Sequence, residues 1–109
     1  MTYKAPVDDI VFTLNHEAGF DRLVQSGAYP DLSDDLVDAI LDEAAKFADN
    51  VVAPLSWEGD QTGARLEADG VKVPENFKQA YAKYVESGWS TLAAPTDYGG
   101  QGLPLALSN

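Results

Sequence analysis

The chain has 109 residues, 45% of them hydrophobic, which suits one small domain with a modest core. Eighteen acids against seven bases give a formal net charge of −11. That balance argues against nucleic acid and anionic membrane surfaces, because both need basic patches. The absence of cysteine excludes disulfides and thiolate metal sites. A chain this short buries only roughly 60–70% of its unfolded surface, so its stability is expected to be marginal unless another surface covers it. The acidic first thirty residues do not read as a signal peptide, and no apolar run is long enough to span a membrane. A cytoplasmic location is the expectation.

Taken in chain order, the first predicted helix runs from Val7 to His16. Pro6 suits its first turn, and Asp8 and Asp9 place negative charge at the positive end of the helix dipole. Gly19 ends this piece. Phe20, Leu23 and Val24 then predict one further turn, stopped by Gly27 and Pro30.

The strongest element follows Ser33, a good N-cap, with Asp34 and Asp35 in the first turn. Leu36, Val37, Ile40, Leu41, Ala44, Ala48, Val51, Val52 and Leu55 recur at spacings of three and four, so one wide face is apolar. Pro54 is expected to stop or bend this helix, and a bent continuation toward Trp57 or Gly59 is compatible with the pattern. Residues 59–74, with Gly59, Gly63, Gly70 and Pro74, read as a long loop holding at most a short extended piece at Val71 to Val73.

A third helix begins at Pro74 and Glu75, carries Phe77, Ala80, Tyr81, Tyr84 and Val85 as its apolar stripe, and is capped by Gly88. A helix-breaking stretch from Ala94 to Pro104 follows. Leu105 to Ser108 then look like the opening turn of another helix, and the expectation is of a chain that was longer in its native state. The predicted class is all-α, with an extension at 1–32 and a truncated helical domain at 33–109.

Several catalytic constellations fail. His16-Glu17 starts like a zinc-protease helix, but Phe20 stands where the second histidine belongs. His16, the only histidine, reads as a helix C-terminal residue meeting the dipole. Gly100-Gln101-Gly102 lacks a third glycine, since Leu105 occupies that place, and no strand precedes it. The pairs Asp8/Asp9 and Asp34/Asp35 read as helix-start charges rather than metal ligands. No catalytic, cofactor-binding or metal-binding residue is assigned. Phe77, Tyr81, Tyr84 and Trp89 read as core packing rather than a ligand wall. Tyr98-Gly99-Gly100-Gln101-Gly102 has three glycines in four positions, which gives freedom for positive φ and close approach. It is either a turn between helices or a loop pressed against a ligand or another domain.

The run Ala94-Pro95-Thr96-Asp97-Tyr98-Gly99-Gly100-Gln101-Gly102-Leu103-Pro104 resembles the P-x-x-Y-G-G-x-G segment of acyl-CoA dehydrogenases. Gly88-Trp89-Ser90-Thr91-Leu92 resembles the G-W stretch that the family places just before it. Val52-Ala53-Pro54-Leu55 with Gly59-Asp60-Gln61-Thr62-Gly63 is similar to the branch with larger subunits, which includes enzymes acting on long-chain and on 3-methylmercaptopropionyl thioesters. Tyr3 to Ile10 and on to Phe12 resembles that branch's N-terminal extension.

The resemblance implies the family's N-terminal helical domain, followed in a complete subunit by a β domain and a helical bundle with FAD mainly between those two. It implies α,β-dehydrogenation of an acyl-CoA thioester. A carboxylate base takes the α-proton while hydride passes to the flavin. The base and most FAD contacts lie beyond the matched region, so these residues alone are expected to be inactive and to bind no FAD. The loop residues Tyr98, Gly99, Gly100 and Leu103 are implied to lie near the acyl cavity. The expected partners are the remaining domains of the same polypeptide and the acyl-CoA substrate, with a homo-oligomer as a further option. The rival reading is a small acidic helical module that binds a partner protein and has no enzymatic activity.

Overall fold

The computed structural model describes residues 2–109. It is mostly helical, and its only sheet among the described residues is one two-stranded hairpin. Helix α1 is Val7–His16 and α2 is Phe20–Gln25. Gly19, at φ 67°, makes the corner between them in a conformation that favours glycine. Helix α3 is Asp34–Phe47, and its predicted cap is present: the Ser33 hydroxyl accepts the Leu36 amide at 3.2 Å.

Behind α3 the backbone widens into a π turn at Ala48–Val52, closed by the Ala53 amide on the Ala48 carbonyl at 2.8 Å. Pro54 accounts for this departure. Its ring brings no N–H and crowds the carbonyl four residues earlier, so the chain opens by one residue and restarts. Asp49 in this turn accepts the Ala5 amide at 2.9 Å, which pins the segment before α1 against it.

The sequence-based loop at 59–74 is corrected here. Helix α4 is Leu55–Thr62, so Gly59 lies inside a helix. Strands β1 (Arg65–Glu67) and β2 (Gly70–Lys72) form an antiparallel hairpin with Leu66 opposite Val71. Two local facts explain the difference. An ideal Cβ on Gly59 would sit 2.5 Å from the Phe77 Cζ, so the glycine admits a ring against the helix where a side chain would block it. Ala68 and Asp69 make the tight connection between the strands, and Gly70, the first residue of β2, takes φ 127°, a value open to glycine.

Helix α5 is Glu75–Glu86, and Gly88 beyond it has the predicted left-handed cap conformation at φ 81°. Single 3₁₀ turns at Trp89–Thr91 and Thr96–Tyr98 lead to the last turn, α6, at Leu105–Ser108.

The core is small. Phe20, Leu32, Val37, Leu92, Leu103 and Leu107 are buried together, with Pro104 fully enclosed. It joins α2, α3 and the 92–107 stretch, and each such side chain contributes roughly 1.5–3 kcal/mol of transfer free energy. Helices α4 and α5 bury no residue fully. They form, with the hairpin, a wing beside the core. The radius of gyration is 17.0 Å, against about 13 Å for a compact domain of this length. Among the described residues, no helix is long and apolar enough to cross a membrane.

Candidate functional site

The segment from Gly88 to Pro104 is a doubled-back loop held almost entirely by its own backbone. The outgoing limb is Thr91 to Pro95 and the returning limb is Gly100 to Leu103. Leu103 donates to the Leu92 carbonyl at 2.9 Å, Gly102 to Ala94 at 2.9 Å, Gln101 to Thr91 at 3.0 Å and Gly100 to Pro95 at 3.0 Å. At the tip, Tyr98 donates to Pro95 and Gly99 to Thr96, both at 3.1 Å. The Gly88 carbonyl accepts the Gln101 side-chain amide at 2.9 Å and the Thr91 hydroxyl at 3.0 Å, which ties the loop base to the end of α5.

These bonds decide one chemical question. All six amides from Tyr98 to Leu103 are paired inside the chain. A phosphate-cradling loop needs amides left free for the anion, so this glycine run does not have that character.

The four residues singled out by resemblance separate into three places. Tyr98 stands at the tip, 87% exposed, and Gly99 beside it faces open space at φ 82°. Gly100 lies where the limbs meet, and an ideal Cβ there would be 2.0 Å from the Ala94 carbonyl oxygen. Leu103 points the other way, into the core. The structure therefore brings Tyr98, Gly99 and Gly100 into one turn and uses Leu103 to anchor it.

Next to the loop base runs a groove of about 590 Å³ between α3 and the chain after α5. Ile40, Phe47, Val51, Trp89 and Leu92 make its apolar floor, and Gln101 links it to the loop. At its rim Lys46 and Glu43 form an exposed pair at 2.7 Å. The hydrogen bond from Lys46 to Glu43 holds the ammonium above its ordinary pKa. Aromatic rings continue from this floor onto α5: Trp89 to Phe47 at 6.4 Å between centroids, Phe47 to Tyr84 at 6.2 Å, and Tyr84 to Tyr81 at 6.4 Å. Phe77, Tyr81, Tyr84 and Trp89, read from sequence as core, are thus not buried; Trp89 alone leans on the core. Sequence spacing does not show this groove, because α3 and the loop base meet only through the fold; of its aromatic residues, Trp89 carries a local signal in the Gly88-Trp89 stretch, and Phe47 carries none.

The site's chemistry is that of apolar contact. Among the described residues no polar or charged side chain is buried, and no group of three potential metal ligands occurs.

No family model matches the chain. It is 41% identical over 104 residues to 3-methylmercaptopropionyl-CoA dehydrogenase of Ruegeria pomeroyi, across 95% of this chain and 18% of that protein. The chain is a relative of the acyl-CoA dehydrogenases. A second member, the broad-specificity linear acyl-CoA dehydrogenase FadE5 of Mycobacterium tuberculosis, is 29% identical over 107 residues, across 96% of the chain and 18% of its own length. The chain therefore spans about a fifth of the curated acyl-CoA dehydrogenases it matches. Its helical architecture, with the small hairpin added, matches the N-terminal helical domain of that family.

Proposed function

We propose that these 109 residues are the N-terminal helical segment of a flavin-dependent acyl-CoA dehydrogenase that oxidises an acyl-CoA thioester at its α,β bond. The 41% identity across nearly the whole chain carries this reading. The segment supplies neither the catalytic base nor most of the FAD contacts. Its roles are to dock on the remaining domains of the polypeptide and to present the loop at Tyr98, Gly99 and Gly100, anchored by Leu103, to the acyl end of the substrate. Residues 1–32 form an extension and 33–109 the helical domain proper, in a cytoplasmic enzyme.

The loop geometry supports the positioning role. Its tip is held by internal hydrogen bonds while Tyr98 offers an exposed ring, so a ligand would meet a preformed surface.

Two measurements test the reading. The polypeptide encoded by the gene should carry FAD that bleaches on adding an acyl-CoA, whereas the 109 residues alone should bind no flavin. A gene product without flavin would overturn the enzyme assignment, and turnover by the 109 residues would overturn the division of labour. In the flavin-loaded protein, Tyr98→Ala should raise KM for acyl-CoA about tenfold, the loss of roughly 1.4 kcal/mol of contact, with the thermal midpoint unchanged. An unchanged KM would remove Tyr98 from the site.

A further inference from the structure

The sequence offers two apolar helix faces for docking, on α3 and on α5, and the structure distinguishes them. The α3 face is largely consumed: Val37 is buried, and Leu36, Ile40 and Leu41 pack against the core. The α5 face is not. Tyr81 is 69% exposed, Val85 47% and Tyr84 38%, and the hairpin adds the exposed cross-strand pair Leu66 and Val71. A two-stranded hairpin with three-residue strands is marginal in water by itself, so a stable one needs a surface to lie on.

We infer that the α5–hairpin wing, continuous with the aromatic floor at Phe47 and Trp89, is the face on which the remaining polypeptide of the same subunit seats, through an apolar patch with little negative charge. The inference rests on the proposed membership of a larger dehydrogenase subunit. Three observations favour this occupant.

The first is area. The chain exposes 7935 Å², about 2,000 Å² more than the roughly 5,900 Å² of a compact chain of 11.7 kDa. That excess matches or exceeds an interface between domains of one chain. The second is length: with 18% of each relative matched, more than four-fifths of each lies outside this span and is available to cover it. The third is charge. Helix α5 is balanced, with Glu75 and Glu86 against Lys78 and Lys83, so the face itself resists no neighbour. A second copy would bring another formal charge of −11 alongside the first, and that repulsion disfavours self-association.

The test is hydroxyl-radical footprinting of the natural gene product, read by mass spectrometry and scaled to the same protein unfolded in urea. Labelling of Tyr81 and Val85 should fall roughly tenfold, to the level of buried Phe20. Labelling that stays near the unfolded level overturns the proposal. Protection that disappears on dilution, together with halving of the mass in light scattering, would assign the face to a second copy and also overturn it. Flavin content is read on the same sample. Protection without flavin sinks the dehydrogenase reading and leaves the docking face standing. Flavin without protection does the reverse. As a second arm, Tyr81→Glu should restore labelling at Val85 in the full protein while leaving Phe20 protected; unchanged protection of Val85 counts against the proposal.

Discussion

Gly100→Ala should lower the unfolding free energy by about 3 kcal/mol, the upper range for forcing volume into a packed site. The new methyl would lie 2.0 Å from the Ala94 carbonyl oxygen and 2.3 Å from its carbon. Both are backbone atoms and cannot swing aside. That carbonyl also accepts the Gly102 amide at 2.9 Å, so the returning limb must separate from the outgoing one and lose hydrogen bonds contributing roughly 1 kcal/mol each. Gly99→Ala is the control. Its methyl meets open space, and only the left-handed φ of 82° is unfavourable, by about 1–2 kcal/mol. Urea unfolding followed by tryptophan fluorescence compares the two. A smaller midpoint shift for Gly100→Ala than for Gly99→Ala would show that the limbs do not close as described.

Phe20→Ala should cost about 3–5 kcal/mol, the usual result of emptying an aromatic core site. Phe20 is 2% exposed and is one of the six buried apolar side chains that make up the core, so little surrounding structure can relax into the gap. A loss of that size approaches the whole stability of a small domain, about 5 kcal/mol at the low end. Phe12→Ala, at a site 59% exposed, should change stability by less than about 0.5 kcal/mol. Amide exchange should show α3 and α6 losing protection together in the Phe20 variant, because both pack on that ring's cluster. Equal effects from Phe12 and Phe20 would contradict the position of the core.

Local signals made much of the helical frame legible. Pro6 with Asp8 and Asp9 marked α1, Ser33 marked the start of α3, and Gly88 marked the end of α5, because each acts through bonds or dihedrals within one turn of itself. The stretch from Gly59 to Pro74 misled for the opposite reason. Glycine normally weakens a helix, yet Gly59 is kept inside α4 by a ring that arrives from Phe77, eighteen positions later. The hairpin was illegible because Ala68-Asp69 is a weak turn pair and its strands are only three residues long. Periodicity showed that α5 has a greasy side but not what lies against it. The candidate loop was visible from its glycines. Its internal pairing was not, because that depends on the 91–95 and 100–103 limbs meeting.

The π turn at Ala48–Val52 has a consequence for how α4 is aimed. Each residue added to or removed from a helix rotates everything downstream by about 100° about its axis. The bearing of α4, and with it of the Gly59 notch that receives Phe77, is therefore governed by the residue count between Phe47 and Pro54. A single-codon deletion there would act as a misdirected hinge, leaving every side chain of α4 intact and turning that notch away from the Phe77 ring.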